Sequence, residues 1–166
     1  MKKIYYTWSD VERQTQEILR QLQRDAWLPD YVVGLTRGGL VPANLISQYL
    51  EVPMECLKVS LRDNASEPES NLWMAEDAYN GKKILIVDDI NDSGATLNYI
   101  KQDWQESSGF NPNINWDYIW EQSVRVSVLC DNEASASELN VSYSAVGLNK
   151  ADEDCWIVFP WEAWWK

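Results

Sequence analysis

Hydrophobic positions in the first part of this chain alternate between helical spacing and short continuous runs. Apolar residues from Trp8 to Arg24 lie at helical spacing with charges and amides between them, which predicts an amphipathic helix, and Thr7 and Ser9 are two candidate caps for its start. A β-prone run from Tyr31 to Leu35 ends in a glycine turn, and helical character resumes from Leu40 to Leu50. The pattern therefore predicts helix, strand, glycine turn and helix.

The same alternation continues toward the C-terminus. Strands are predicted from Met54 to Leu61, from Lys83 to Val87 and from Val124 to Cys130, and a helix is predicted from Gly94 to Trp104. Strands that alternate with helices in this order predict an α/β fold with a parallel sheet flanked by helices. Ligands of such sheets bind beyond the carboxyl ends of the strands. The length of the chain, residues 1–166, fits a single domain.

Some segments do not follow this alternation. Arg62 to Gly81 is polar and too long for an ordinary connection, so we expect a mobile functional loop there. The tail from Lys150 to Lys166 contains four tryptophans. The segment from Gln105 to Gln122 contains the aromatic residues Trp116, Tyr118 and Trp120. We favour packing of these rings, in the fold or at a subunit interface, over contact with a ligand.

Composition and charge exclude several classes of function. The 14 basic and 26 acidic residues give a net charge of −12, so the surface repels nucleic acids and anionic membranes. Histidine is absent, which excludes Ser-His-Asp and Cys-His catalysis. No signal peptide is evident, and no run approaches the roughly 20 apolar residues that span a bilayer. Cys56, Cys130 and Cys155 are odd in number, widely spaced and mostly in apolar runs, which predicts buried thiols and no disulfide framework. Because free thiols are typical of a reducing compartment, we expect a cytoplasmic protein.

The segment that is most informative about chemistry joins the predicted strand at Lys83 to its helix. The strand is followed by two carboxylates, Asp88 and Asp89, and small polar residues then lead into the helix. Backbone N–H groups at a helix N-terminus, with the hydroxyls of Ser93 and Thr96, can hold a phosphate monoester. The two carboxylates suit the vicinal diol of a sugar, directly or through magnesium-bound water.

Other interpretations of this acidic turn explain less of it. A calcium-binding EF-hand beginning at Asp89 would place Ile100 at the position where the loop requires a carboxylate. A Walker loop requires Gly-Lys-Ser or Gly-Lys-Thr, which the sequence lacks here, and a response-regulator pocket does not account for the turn from Ser93 to Thr96. A purely structural turn remains an alternative.

Separated stretches of the chain resemble the type I phosphoribosyltransferases. Val87 to Leu97 is similar to the signature with which that family binds phosphoribosyl pyrophosphate. Val33 to Pro42 resembles the pyrophosphate loop of the bacterial xanthine-guanine and hypoxanthine branch, and Tyr6 to Trp8 resembles the start of that branch's first helix. Asp154 to Glu162 is similar to the hood of those purine enzymes, in which an aromatic ring stacks on the base. These matches follow one another along the chain in the same order as in the family. Chance similarity in one short motif therefore does not explain them.

The resemblance implies a fold and an activity. It implies a phosphoribosyltransferase-like parallel sheet with a small hood from residues 1–8 and 150–166, and a catalytic flap at 62–81. The implied enzyme transfers phosphoribose from phosphoribosyl pyrophosphate to a purine base and releases a nucleoside 5′-monophosphate and pyrophosphate. Its implied cofactor is Mg²⁺ at Asp88 and Asp89, and its implied partners are these small molecules and further copies of the chain, as a dimer or tetramer. The alternative is a non-catalytic regulatory protein that senses phosphoribosyl pyrophosphate or a nucleotide.

The resemblance also implies roles for individual residues. Asp88 and Asp89 would engage the ribose hydroxyls and Asp92 would lie near the reacting ring nitrogen, and these three are the implied catalytic residues. The implied contacts to phosphoribosyl pyrophosphate are Thr36, Arg37, Gly38, Asp92, Ser93, Gly94, Ala95 and Thr96. In this family the peptide of the Thr36 loop can be cis. The implied base contacts are Asp131, Ile157, Glu162 and Trp156, of which the tryptophan would stack on the ring.

Two positions depart from the family's pattern. Enzymes for 6-oxopurines usually carry a lysine that donates to O6 just past the strand at Val124, where this chain has Asp131 and Asn132. Asp131 could accept from an exocyclic amine, or face away while Asn132 or Lys150 supplies the donor. Asn91 also replaces an aliphatic residue of the signature. The sequence therefore leaves the identity of the purine base open.

Overall fold

The computed structural model describes residues 1–59, 72–109 and 111–166, which form an α/β fold. In chain order the strands are β1 (Lys2–Tyr5), β2 (Tyr31–Thr36), β3 (Met54–Lys58), β4 (Ile84–Asn91), β5 (Val124–Asn132), β6 (Tyr143–Leu148) and β7 (Cys155–Val158). The helices are α1 (Trp8–Asp25), α2 (Leu40–Leu50), α3 (Leu72–Tyr79), α4 (Ala95–Ser107) and α5 (Trp116–Gln122). The predicted fold class is confirmed.

The main sheet is parallel throughout. Within the described ranges its strand order is β3-β2-β4-β5-β6, and each neighbouring pair runs in the same direction. Apolar residues of β4 alternate between two fully buried clusters, with Ile84 and Ile86 in one and Leu85 and Val87 in the other. A strand that is covered on both faces is typical of a parallel sheet. The carboxyl ends of β2, β3 and β4 therefore share one edge, where ligands of such folds bind.

Helix α1 begins with a reciprocal cap. The backbone N–H of Asp10 donates to Thr7 Oγ1 at 3.1 Å, and the backbone N–H of Thr7 donates to Asp10 Oδ2 at 2.7 Å. Of the two candidate caps in the sequence, Thr7 is therefore the one used, and Ser9 lies inside the first turn. The apolar face of α1 buries Val11 and Ile18 in one of the two core clusters, so the predicted amphipathic helix is confirmed.

The predicted loop from Arg62 to Gly81 is wrong in its second half. Residues 72–79 form helix α3, whose Met74, Ala75 and Ala78 are fully buried in the core. A helix of only eight residues is marginally stable in water by itself. Burial of its apolar face against the core therefore stabilises α3. Residues 60–71, which include the first half of the predicted flap, lie outside the described residues.

The aromatic residues between α4 and β5 pack mainly with one another. The Trp116 and Trp120 rings stack with their centroids 5.4 Å apart, and Trp120 also stacks on Trp104 of α4 at 5.6 Å. All three side chains are buried. Packing is therefore confirmed for Trp116 and Trp120, whereas Tyr118 on the same helix is 62% exposed.

The N- and C-terminal parts of the chain pair with each other away from the main sheet. Strand β1 runs parallel to β7, with Lys2 opposite Cys155 and Tyr5 opposite Val158. Ile157 of β7 is buried, whereas the neighbouring Trp156 is exposed on the opposite side of the strand. This pair of strands supports Trp156 at the edge of the main sheet.

The cysteines differ in exposure, so the expectation of buried thiols is wrong for one of them. Cys130 and Cys155 are buried, but Cys56 lies exposed on β3, an edge strand of the main sheet as described. Burial raises the pKa of the Cys130 thiol to about 11, which leaves little reactive thiolate near neutral pH. In the ranges that the structure describes, no helix is long and apolar enough to cross a membrane.

We expect only Cys56 to react quickly with a chromogenic disulfide reagent at pH 8 in the folded protein. Cys130 and Cys155 should react much more slowly, because their thiols must first reach solvent through local or global unfolding. Denaturant should make all three thiols react at similar rates. Rapid native reaction of a Cys56→Ser variant would contradict this burial pattern.

Candidate active site

A cleft of about 1040 Å³ opens at the carboxyl ends of β2, β3 and β4. Its walls include three parts of the described chain that carry sequence motifs: the turn that follows β2, the segment from the end of β4 into α4, and the segment that contains Trp156. The sequence motifs that carried candidate chemistry thus meet in one place. Most of the predicted site residues line it, namely Thr36, Arg37, Gly38, Asp88, Asp89, Asp92, Ser93, Gly94, Ala95, Thr96, Trp156 and Glu162.

The turn after β2 approaches the acidic end of β4 closely. The peptide bond between Thr36 and Arg37 is cis, the form that the family resemblance allowed. A Cβ atom built on Gly38 would lie only 2.1 Å from Asp89 Oδ2. The carboxylate therefore occupies the space that any larger residue at position 38 would need. Glycine at this position lets the pyrophosphate-like loop and the acidic motif come into contact.

The two adjacent carboxylates lie in the last part of β4, which is longer than predicted. The strand continues beyond Val87 to Asn91, so Asp88 and Asp89 belong to it. The backbone N–H of Asp89 donates to Asp88 Oδ1 at 2.9 Å, and the N–H of Ile90 donates to Asp89 Oδ1 at 2.7 Å. These local hydrogen bonds orient both half-buried carboxylates at the cleft.

The segment after β4 turns sharply into α4. Gly94 precedes the helix with a φ of 90°, a left-handed value that favours glycine, and the backbone N–H of Ala95 donates to Ser93 Oγ at 3.2 Å. Ser93, Ala95 and Thr96 all line the cleft beside the first turn of α4. This arrangement has the geometry of an anion site, because helix N-termini present N–H groups and a favourable dipole.

A lysine that the sequence suggested only as one alternative lies in a small cavity beside the cleft. Lys150 Nζ is 2.9 Å from Asp92 Oδ1 and 5.5 Å from the centroid of the Trp156 ring. Trp156 is 37% exposed. Together with Glu162 and Ile157, these residues line a second small cavity beside the cleft. The predicted base contacts Trp156, Ile157 and Glu162 are thus brought together with Lys150.

Asp131 lies apart from this cluster. Asn91 Nδ2 donates to Asp131 Oδ1 at 2.9 Å and lies at the same distance from Ser135 Oγ. Asp131 is not among the described residues that line the cleft or the small cavity. The two departures from the family's pattern, Asn91 and Asp131, therefore contact each other.

The cleft also contains residues that sequence reasoning missed. Lys58 at the end of β3 lies opposite Thr36 in the sheet and adds a cation near Arg37. The strand predicted from Met54 to Leu61 placed Lys58 inside it, whereas the observed strand ends at Lys58. Trp161, Trp164 and Trp165 of the C-terminal segment line the cleft as well. No periodic pattern marks these tryptophans, since the segment contains no strand or helix at these positions.

Comparison with known proteins gives matches over nearly the whole chain. A family model described as a phosphoribosyl transferase domain matches residues 2–166. A hypoxanthine-guanine phosphoribosyltransferase of Schizosaccharomyces pombe is 24% identical over 97% of this chain and 89% of its own length. A xanthine-guanine phosphoribosyltransferase of Cereibacter sphaeroides is 27% identical over 97% of this chain and 87% of its own.

A solved structure shares the fold. The crystal structure of a purine phosphoribosyltransferase from Pyrococcus horikoshii superposes with a TM-score of 0.69 at 23% identity, and the match covers 98% of this chain and 95% of that one. The likeness extends over the strands and helices that surround the cleft, because so little of either chain is left out of the match.

Proposed function

Since this chain belongs to the phosphoribosyl transferase family, we propose that it transfers phosphoribose from phosphoribosyl pyrophosphate to a purine base. The products are a nucleoside 5′-monophosphate and pyrophosphate. The relatives that match over 97% of the chain are named for hypoxanthine, guanine and xanthine, which supports a purine as the acceptor. The chain is thus proposed to be an enzyme of purine salvage.

The observation that carries this proposal is the meeting of three motifs in one cleft. The Gly38 turn touches Asp89, the end of β4 leads directly into the start of α4, and Trp156 faces the same space. The proposed transfer requires a ribose 5-phosphate whose C1 carbon loses pyrophosphate and bonds to the base. A cleft with a cationic loop, a phosphate-binding turn and an aromatic ring suits that combination.

The described residues suggest how each part of the substrate is bound. Arg37 and Lys58 offer cations for the pyrophosphate, with the backbone of the Thr36–Gly38 turn beside them. The segment from Asp92 to Thr96 offers backbone N–H groups and hydroxyls to the 5′-phosphate. Asp88 and Asp89 offer acceptors to the ribose hydroxyls. The ring of Trp156 and the backbone of Ile157 remain for the base.

Mg²⁺ is the proposed cofactor, and the carboxylates of the cleft fit it. Among the described residues no group of three or more His, Cys, Asp or Glu side chains could hold a metal ion alone. Mg²⁺ is commonly bound by one or two carboxylates together with substrate phosphates and water, which is the contribution that Asp88 and Asp89 can make. When bound, the ion would offset the negative charge of the pyrophosphate.

Catalysis by this cleft would depend on positioning and electrostatics. The ribosyl carbon gains oxocarbenium character as pyrophosphate leaves and the base nitrogen attacks, and the carboxylates of Asp88 and Asp89 lie where they can stabilise positive charge on the sugar. Asp92, which lines the cleft, would accept a proton from the ring nitrogen of the base. These steps require neither histidine nor a cysteine nucleophile.

We also propose how the chain as a whole is organised and where it functions. The chain forms one domain, with residues 1–8 and 150–166 as a hood over the base, and functions in the cytoplasm. Exposed apolar side chains on α2, Leu45 and Tyr49, offer a surface for self-association as a dimer or tetramer. The net charge of −12 argues against nucleic acid and anionic membranes as partners.

Turnover by the purified protein tests the proposed function. The protein is incubated with Mg²⁺, labelled phosphoribosyl pyrophosphate and each of several purine bases, and nucleotide and pyrophosphate are quantified. We expect both products in equal amounts with at least one base. Tight binding of phosphoribosyl pyrophosphate without product for any base would instead support the regulatory alternative.

Trp156→Ala is expected to weaken base binding and to leave the affinity for phosphoribosyl pyrophosphate nearly unchanged. Base–aromatic stacking is typically worth about 1 to 3 kcal/mol, so we expect this loss in the binding free energy of the base. Tyr118→Ala is a control, because it removes another exposed aromatic ring that is not among the residues lining the cleft. Unchanged base affinity in Trp156→Ala would mean that the ring does not stack on the base.

A further inference from the structure

Lys150, in the segment between β6 and β7, places a cation beside the predicted base contacts. Its ammonium lies 2.9 Å from Asp92 Oδ1 and 5.5 Å from the centroid of the Trp156 ring. The lysine side chain is only 16% exposed. An ammonium in this position can donate to Asp92 and still has further N–H groups, because lysine carries three donors.

Asn132 fixes this lysine relative to Asp92. Asn132 Nδ2 donates to the backbone carbonyl of Asp92 at 2.9 Å, and Asn132 Oδ1 accepts from the backbone N–H of Lys150 at 3.0 Å. The Asn132 side chain therefore hydrogen-bonds to the backbone of both residues of the ion pair, Asp92 and Lys150. This bridge holds the segment that carries Lys150 against the phosphate-binding turn.

The residue at the family's usual lysine position has another partner. Asp131 accepts from Asn91 and is absent from the described lining of the cleft and of the small cavity. With this partner, the Asp131 carboxylate lies outside the described lining of both spaces, so it is not placed against a base there. Lys150, by contrast, already lines the small cavity beside Trp156.

We propose that Lys150 is the residue that selects a 6-oxopurine, by donating a hydrogen bond to its exocyclic oxygen. This proposal rests on the proposed purine transfer. Lys150 reaches the base from the segment before β7, whereas the lysine of related sequences follows the strand equivalent to β5. Asp92 and Lys150 form an adjacent acceptor and donor at the base end of the cleft.

This pair complements one edge of a 6-oxopurine. That edge carries the O6 acceptor beside N7, whereas the same edge of adenine carries an N6 amine donor beside N7. In the tautomer of the free base that is protonated at N7, Asp92 can accept from N7 while Lys150 donates to O6. An adenine amine would face an ammonium that has no acceptor to offer, so the site discriminates against it.

Steady-state kinetics of Lys150→Met with three bases tests the assignment. Hypoxanthine presents the 6-oxo group, adenine presents the amine, and unsubstituted purine presents neither. We expect the wild-type protein to prefer hypoxanthine to adenine, and Lys150→Met to lower kcat/KM for hypoxanthine by about 10- to 100-fold, the usual range for a lost charge-assisted hydrogen bond. The value for purine should fall much less, because purine has no O6.

Lys101→Met is the matched control. It also removes a lysine from an ion pair, that of Lys101 Nζ with Glu138 Oε2 at 3.3 Å, on a part of α4 that is not among the residues lining the cleft. Its preference for hypoxanthine should equal that of the wild type. An equal loss for hypoxanthine and purine in Lys150→Met would show a structural role only and would overturn the proposal.

Affinities for inosine and adenosine 5′-monophosphate, measured by calorimetry, give a second result that does not require turnover. Lys150→Met should erase the preference for the inosine nucleotide, and Asp131→Asn should leave that preference in place. A wild-type preference for the adenine compounds, or a preference that changes with residue 131 and not with Lys150, would overturn the assignment. Absence of turnover combined with a Lys150-dependent nucleotide preference would contradict the proposed function but support this inference.

Discussion

Replacing Asp88 and Asp89 together by asparagine is expected to abolish phosphoribosyl transfer without unfolding the protein. Loss of one preorganised electrostatic group typically costs about 10²- to 10³-fold in kcat, and this variant loses two charges at the ribose end of the cleft. The fold should persist, because each asparagine keeps the Oδ1 acceptor that receives a backbone hydrogen bond in the native protein. Turnover and thermal unfolding of the same preparation measure both effects.

A control variant separates the site from the overall charge. Asp117→Asn with Glu121→Gln also removes two negative charges, from exposed positions on α5 outside the described lining of the cleft. We expect near-normal turnover from it, because exposed charges away from the substrate are screened by salt. Turnover by Asp88→Asn with Asp89→Asn within a few-fold of the control would contradict the proposed roles of these carboxylates.

The sequence predicted the elements whose residues carry a strong local pattern. Helix α1 has an apolar face and a capping sequence, so it was predicted close to its observed bounds. The strand at Ile84 to Val87 is continuously apolar, so its start was predicted, but its polar end from Asp88 to Asn91 was not. Strand β6 was not predicted, because it lies at one edge of the described sheet, where most of its residues are half-buried and show no clean alternation. Helix α3 was hidden because it follows a polar stretch and is short.

The residues of the cleft also divide into those with a local sequence pattern and those that only folding brings together. The residues from Asp88 to Thr96 are contiguous, so their chemistry could be read from one strand–turn–helix segment. Lys150 lies far from Asp92 along the chain, and only the folded arrangement of β5, β6 and the segment before β7 brings the two side chains together. The pairing of Asn91 with Asp131 is likewise a long-range contact, for which the sequence contains no local signal.

Gly39→Ala is expected to cost about 3 kcal/mol of the free energy of unfolding, near the upper end of typical overpacking effects. The backbone at Gly39 has a φ of −81°, so alanine fits its conformation, and the cost comes from space alone. An added Cβ would lie 2.2 Å from the backbone oxygen of Val87 and 2.8 Å from that of Leu35. Both atoms belong to the sheet backbone and cannot rotate away as a flexible side chain would.

Gly81→Ala provides the comparison for this prediction. Gly81 has a φ of 93° but nothing within 4 Å of its added Cβ, so the substitution introduces conformational strain without a clash. Strain of that kind costs roughly 1 to 2 kcal/mol, less than we expect at Gly39. Urea unfolding with unchanged m-values compares the two variants directly. A Gly39→Ala protein more stable than Gly81→Ala would contradict this prediction, because it would mean that the backbone of Gly39 does not approach the backbone oxygen of Val87 as closely as the structure shows.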